Sequence, residues 1–146
     1  LSTPRYLKKG DHFIRAGEVP KHFAFIQTGL FRYYYLDEQG NEFTKAFFTE
    51  NAFLSSYSAM VLQRPSYFSI EALEDAHLHA IAFADWQTLR QQDGRWNELL
   101  LAILQKAFIK KEERERQFLL FDAEKRYRLF LQDNPGLDQR VNQRLI

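Results

Sequence analysis

From Arg95 to Phe121 the chain reads RWNELLLAILQKAFIKKEERERQFLLF, 27 residues without a glycine or a proline. Nothing in that run breaks a helix, and as an α-helix it would extend about 40 Å at 1.5 Å per residue. An ordinary globular helix is shorter. Trp96, Leu99, Leu100, Ile103, Ala107 and Phe108 recur at spacings of three and four, so one face is apolar. Lys110 to Arg116 mixes charge signs, as a solvated helix surface does. Such a helix needs a second surface to cover it. Its own domain can cover part, and a twin helix from a second copy the rest, as in a coiled-coil seam. The expectation is a homodimer through this helix, with Trp96, Leu99, Leu100, Ile103 and Ala107 at the seam.

The pattern before the helix is of another kind. FAFI (23–26), LFRYYYL (30–36) and FTKAFFT (43–49) are rich in aromatic residues, and YFSIEAL (67–73) and HLHAIAF (77–83) follow. Gly10, Gly17, Gly29 and the turn DEQGN (37–41) cut these runs into short strands. Residues 8 to about 84 therefore read as a β-sandwich or barrel. After Ala84, Asp85 is placed to cap a short helix, DWQTLRQQ, that ends at Asp93-Gly94. Asp122 is placed to cap a further helix, AEKRYRLFLQ, which stops before Asn134-Pro135-Gly136. The closing LDQRVNQRLI reads as the start of another helix, with Val141, Leu145 and Ile146 at helical spacing.

Composition narrows the chemistry. The chain holds 146 residues, 45% of them apolar, which is enough to build a packed core. It has no cysteine, so disulfides, thiolate zinc sites, iron–sulfur clusters and cysteine nucleophiles are excluded. No apolar run approaches the roughly 20 residues that span a bilayer, and no signal-peptide pattern opens the chain. A soluble cytoplasmic protein without a membrane partner is expected. The formal net charge is +1, less basic than a domain carrying most of its DNA contacts would be.

In order, these elements resemble the Crp/Fnr family of bacterial transcription regulators. The resemblance rests on LKKGDHFIRAGEVPKHFAFIQTGLFRYYYLDEQGNE for the opening strands. AFLSSYSAM, SIEALEDAHLHAIAF and DWQTL stand for the ligand cassette and last strands. FDAEKRYRLFLQDNPGL is similar to the helix after the dimerisation helix, and QRVNQRLI to the first residues of a helix-turn-helix. The aromatic hairpin and the SYSAM bend resemble members common in Bacteroidetes. The resemblance implies a mainly β jelly roll over residues 1–94 that senses an effector. It implies a long dimerisation helix over 95–121 and the start of a truncated winged-helix domain over 122–146. It also implies a homodimer that binds DNA through a C-terminal domain absent from this chain, in which the second helix of the helix-turn-helix enters the major groove.

The cassette departs from the pattern of family members that bind cyclic AMP. There, F-G-E-L and R-[ST]-A place a glutamate on the ribose and an arginine on the cyclic phosphate, because a guanidinium grips phosphate oxygens in a fork. Here Leu54, Ser55, Ser56 and Tyr57 stand in the first position, and Ser66, Tyr67 and Phe68 in the second. Arg64 lies two residues early, beside Pro65, where a side chain more often points to water. A buried phosphate without a paired cation is costly, so cyclic AMP is not the expected effector, and no cofactor is expected. Tyr67 or Phe68 should fill part of the cavity, and the serines should cap the short helix around SSYSAM. The candidate pocket is thus Leu54, Ser55, Ser56, Tyr57, Arg64, Ser66, Tyr67 and Phe68.

His77 and His79 alternate on one strand and share a face. A jelly-roll metalloenzyme would need a glutamate and a further histidine downstream, where Phe83 and Ala84 stand and no histidine follows. No metal site and no catalytic set is expected. The leading expectation is a ligand-responsive DNA-binding regulator. Its rival is a sensor or scaffold domain that does not bind DNA, like the cyclic-nucleotide modules of kinases and channels. The segment DAEKRYRLFLQDNPGLDQRVNQRLI favours the first.

Overall fold

Eight strands form two antiparallel sheets of four. They are β1 (Thr3–Leu7), β2 (His12–Ile14), β3 (His22–Thr28), β4 (Phe31–Leu36), β5 (Glu42–Phe48), β6 (Phe53–Leu54), β7 (Ser69–Ala72) and β8 (Ala76–Ala82). A computed structural model describes every residue from Leu1 to Ile146, and the chain forms two compact units, Leu1–Thr88 and Leu89–Ile146. One sheet runs β1-β8-β3-β6 and the other β2-β7-β4-β5. Apart from the β4–β5 hairpin, neighbours are far apart in sequence, as a jelly roll requires.

The inner faces of both sheets supply one core. Phe13, Ile14, Ala24, Ile26, Phe31, Tyr33, Leu54, Ile70 and Leu78 pack in a single buried cluster. Alternation explains the membership: on β8, Ala76, Leu78 and Ala80 are buried while His77 is exposed and His79 is half-buried. The two histidines therefore sit on the outer face. The His77 ring meets Tyr6 edge-on and His79 meets Gln27, and no cluster of potential metal ligands forms. Between β3 and β4, Gly29 has φ of 126° and lies so close to β8 that a Cβ would approach the Ala76 Cβ to 2.6 Å. Only glycine fits there.

The helix α1 (Tyr57–Leu62) breaks the strand pattern between β6 and β7. The next helix, α2, spans Phe83–Gln92 and starts before the expected cap: Asp85 lies in its first turn, where a carboxylate suits the helix dipole. Trp86 of α2 is buried, its ring edge-on to Phe23.

In the second unit α3 spans Arg95–Leu120 and has no buried residue. Glu113 and Arg116 pair along its charged stretch at 2.5 Å. α4 spans Ala123–Asp133, and the Asp122 carboxylate accepts from the Lys125 N–H at 2.8 Å, the expected cap. The closing segment differs from expectation. Instead of an α-helix it forms two 3-10 turns, Leu137–Gln139 and Gln143–Leu145. Asn142 sits between them in extended conformation, and its side chain accepts from the Arg144 N–H. A short amide side chain that bonds its own backbone competes with helix propagation. No helix is long and apolar enough to cross a membrane.

Candidate functional site

The segment Ser55–Phe68 connects β6 to β7 and carries the candidate pocket. Its ends are fixed by main-chain bonds. Ser66 N–H donates to the Glu18 carbonyl and its own carbonyl accepts from Gly17 N–H, both at 2.8 Å. Gln63 adopts the left-handed conformation (φ 51°) that ends α1 and turns the chain toward Arg64.

The two serines meet. Ser56 and Ser66 are both 2% exposed, and their hydroxyl oxygens lie 2.8 Å apart. Ser66 has one hydroxyl proton, which it donates to the Phe68 carbonyl at 2.7 Å. Ser56 is therefore the donor of the pair. Ser66 Oγ also accepts from the Phe68 N–H at 3.3 Å, so its capacity is used inside the loop. This corrects the capping expectation: Ser56 stands at the N-cap of α1, but its side chain makes no cap bond. A buried hydroxyl partner wins over a helix end.

The remaining pocket residues divide. Leu54 is fully buried in the core. Tyr57 is half-buried, edge-on to Phe83. Tyr67 is 68% exposed, with the Arg64 guanidinium 4.8 Å above its ring. Arg64 does not simply point to water, since it is half-buried and its Nε is enclosed without a partner. Ser55 Oγ is likewise enclosed and unpartnered, while Ser55 N–H donates to the Tyr33 hydroxyl at 2.8 Å. Of Tyr67 and Phe68, the one that turns inward is Phe68.

Phe68 enters an aromatic group on the inner face of the sheet. Its ring stacks on Tyr33 at 5.1 Å, and Tyr33 lies 4.5 Å from Phe48. Tyr35 meets Phe68 edge-on. The Lys45 ammonium stands 4.5 Å from the Phe68 ring centre. Lys45 reaches this side because the β4–β5 register slips between Tyr33 and Tyr34, which face Ala46 and Thr44. A bulge re-aims a side chain in this way. Burial holds the Tyr33 phenol pKa well above its ordinary value, so Tyr33 stays neutral, with its own proton to donate. The bulge had no signal in the sequence.

The opposite face of the same sheet holds a polar network spanning all four strands. Arg32 is 5% exposed. Its Nε donates to Glu71 at 2.7 Å and its Nη2 to Glu42 at 2.5 Å. Its guanidinium lies 4.1 Å from the Tyr34 ring centre. Burial acts to lower the Arg32 pKa, but bonds to Glu42 and Glu71 outweigh it and hold the value above the ordinary one. The Tyr34 hydroxyl and His12 Nε2 are 2.6 Å apart. Burial first, then the charge on Arg15, lowers the His12 pKa, against the pull of Glu71.

A depressed histidine pKa favours the neutral form in the folded state. Its contribution is present above the ordinary value of 6.5 and is lost as pH falls from there through the folded pKa. Urea titrations between about pH 7 and pH 5 should show stability falling with acid, and His12→Gln should flatten that slope. An unchanged slope in the variant would remove His12 from the account.

Comparison with known proteins follows this geometry. No curated protein is similar enough in sequence to count as a match. Among solved structures, the chain is similar to FixK2 from Bradyrhizobium japonicum, with TM-score 0.80 and 17% identity, over 97% of this chain and 68% of that one. It is similar to CLP, the c-di-GMP responsive global regulator of Xanthomonas campestris, with TM-score 0.76 and 15% identity, over 97% and 71%. It is also similar to the Thermus thermophilus catabolite activator protein, with TM-score 0.68 and 19% identity, over 81% of this chain and 55% of that one. The chain thus spans about half the length of the Thermus protein. At these identities the likeness is one of fold: a jelly roll of two antiparallel sheets with a long helix. The model of the cyclic nucleotide-binding domain matches residues 4–93, well over half of the chain, and the protein belongs to that family.

Proposed function

We propose that the chain is the effector-sensing and dimerisation part of a cytoplasmic Crp/Fnr-type transcription regulator. In this reading its DNA contacts lie in a winged helix-turn-helix beyond Ile146. The observation that carries the reading is extent. The family match ends at residue 93, but the likeness to FixK2 and CLP runs through 97% of the chain and so takes in α3 and α4. A sensor domain alone has no use for that helical unit. The reading assigns the chain no catalytic role.

Dimerisation is supported by α3 itself, which has no fully buried residue although it carries nine leucine, isoleucine and tryptophan residues from Trp96 to Leu120 besides Ala107. Trp96 and Leu99 are partly exposed, Leu100 and Ile103 half-buried and Ala107 exposed. A further exposed apolar stripe is formed by Leu101, Leu104, Phe108 and Leu119. At roughly 100° per residue it lies about a third of a turn round the helix from the expected seam. The twin helix would cover both.

The effector is not cyclic AMP in this reading. Ser56 and Ser66 stand where the family's nucleotide binders have glutamate and arginine. They bond each other, and Phe68 occupies the space beside them. Transcriptional control then works by population shift, with an effector or a partner favouring one arrangement of the long helices. The coding sequence after Ile146 should continue with a winged-helix pattern, and calorimetric titration with cyclic AMP should give no binding heat. A stop codon after Ile146 would refute the DNA-binding reading, and micromolar cyclic AMP binding would refute the account of the cassette.

A further inference from the structure

On the reading of the jelly roll as an effector module, we propose that the end of the roll lined by Tyr33, Tyr35 and Phe68 binds a small aromatic carboxylate. Lys45 reads the negative charge, and Phe68 is an internal plug that the ligand displaces.

The surroundings of the Phe68 ring carry this inference. A parallel tyrosine lies on one side of it, at 5.1 Å and 18°. A second tyrosine stands edge-on at 6.0 Å. An ammonium stands 4.5 Å from its centre and 5.7 Å from the centre of Tyr35. A flat ring that needs stacking, an edge wall and a cation is met on each count. A benzene ring bearing a carboxylate would meet the same ammonium in a charge-assisted bond rather than as a ring face against a cation.

Access and incompleteness point the same way. Phe68 and Lys45 are not sealed in the core, and Tyr35 is 39% exposed at the rim. In the same loop, Ser55 Oγ and Arg64 Nε are enclosed with no hydrogen-bond partner. Buried groups of that kind are rare and costly to leave unmet. Ser55 adjoins the Tyr33 hydroxyl through its own N–H, so a polar substituent on a ring stacked over Tyr33 would complete its bonding. Phe68 is also tied to the cassette, because its N–H and carbonyl both bond Ser66 Oγ. A displacement of the ring that carries the Phe68 main chain with it would pull on the Ser56–Ser66 contact, which gives the ligand a route to the loop.

Benzoate is the probe, with benzyl alcohol as its neutral analogue, followed by NMR titration of the 146-residue chain. Because a plug lowers apparent affinity by the fraction of open state, Phe68→Ala should bind benzoate about tenfold more tightly than the unaltered chain. Phe68→Leu serves as a second variant if the alanine chain does not fold. Lys45→Gln should weaken benzoate about tenfold and leave benzyl alcohol unchanged, as the loss of one charge-assisted contact predicts. Absence of benzoate binding in the folded Phe68 variants would overturn the proposal, as would equal effects of Lys45→Gln on both probes. A chain that fails these tests but remains dimeric loses the ligand class and keeps the regulator reading. Benzoate binding with a stop codon after Ile146 would do the reverse.

Discussion

Arg32→Met should destabilise the jelly roll by about 3–5 kcal/mol, the usual result of removing one partner from a buried ion pair. The loss falls mainly on Glu71, whose side chain is 18% exposed and would keep its charge with no cation beside it. Glu42 is 45% exposed, so water replaces its partner at little cost. Tyr34 loses a guanidinium 4.1 Å from its ring. At roughly 2–4 °C per kcal/mol for a chain of this size, the melting midpoint should fall by about 10–15 °C. Arg32→Lys should recover only part of this, because an ammonium cannot hold two carboxylates in a fork and stack on a ring together. A midpoint shift within about 3 °C for Arg32→Met would show that the network orders the sheet without stabilising it.

The second large effect concerns association. Leu104 and Phe108 are 39% and 62% exposed on α3. Charging them therefore leaves the isolated fold intact. A twofold dimer presents each position twice, so Leu104→Glu with Phe108→Glu removes four apolar side chains from the proposed seam and adds four like charges. At about 1.5–3 kcal/mol for each buried side chain, the dimer dissociation constant should rise at least a hundredfold. Sedimentation should change from a dimer to a monomer, with the circular dichroism of the jelly roll preserved. A variant that stays dimeric at micromolar concentration would place the interface elsewhere.

Much of the fold was legible because its signals are local. Gly29 and the DEQGN turn delimited strands, and alternation in HLHAIAF put His77 and His79 on one face, which the structure turns outward. The 27-residue run without a breaker gave α3 to within one residue at its end. The Asp122 cap followed from a side chain that reaches three residues. What was not legible depends on long-range or non-periodic placement. The Ser56–Ser66 bond joins residues ten apart, across a helix. The bulge that aims Lys45 is a register slip, and the same letters fit an unbroken strand. Arg32, in a run of aromatics, reads as a surface cation until Glu42 and Glu71 are brought to it by strand pairing. The closing 3-10 turns were missed because spacing of apolar residues does not register an asparagine that bonds its own main chain.

One feature of the cassette bears on how such a domain diversifies. Ser66 is held through its amide and carbonyl, by the Glu18 carbonyl and the Gly17 N–H, as well as through its hydroxyl. The main-chain part of that frame does not depend on which side chains the loop displays. It would survive a change of the side chains at 55, 56, 66 and 68. A lineage could thereby trade one chemical signal for another while inheriting the same mechanical linkage.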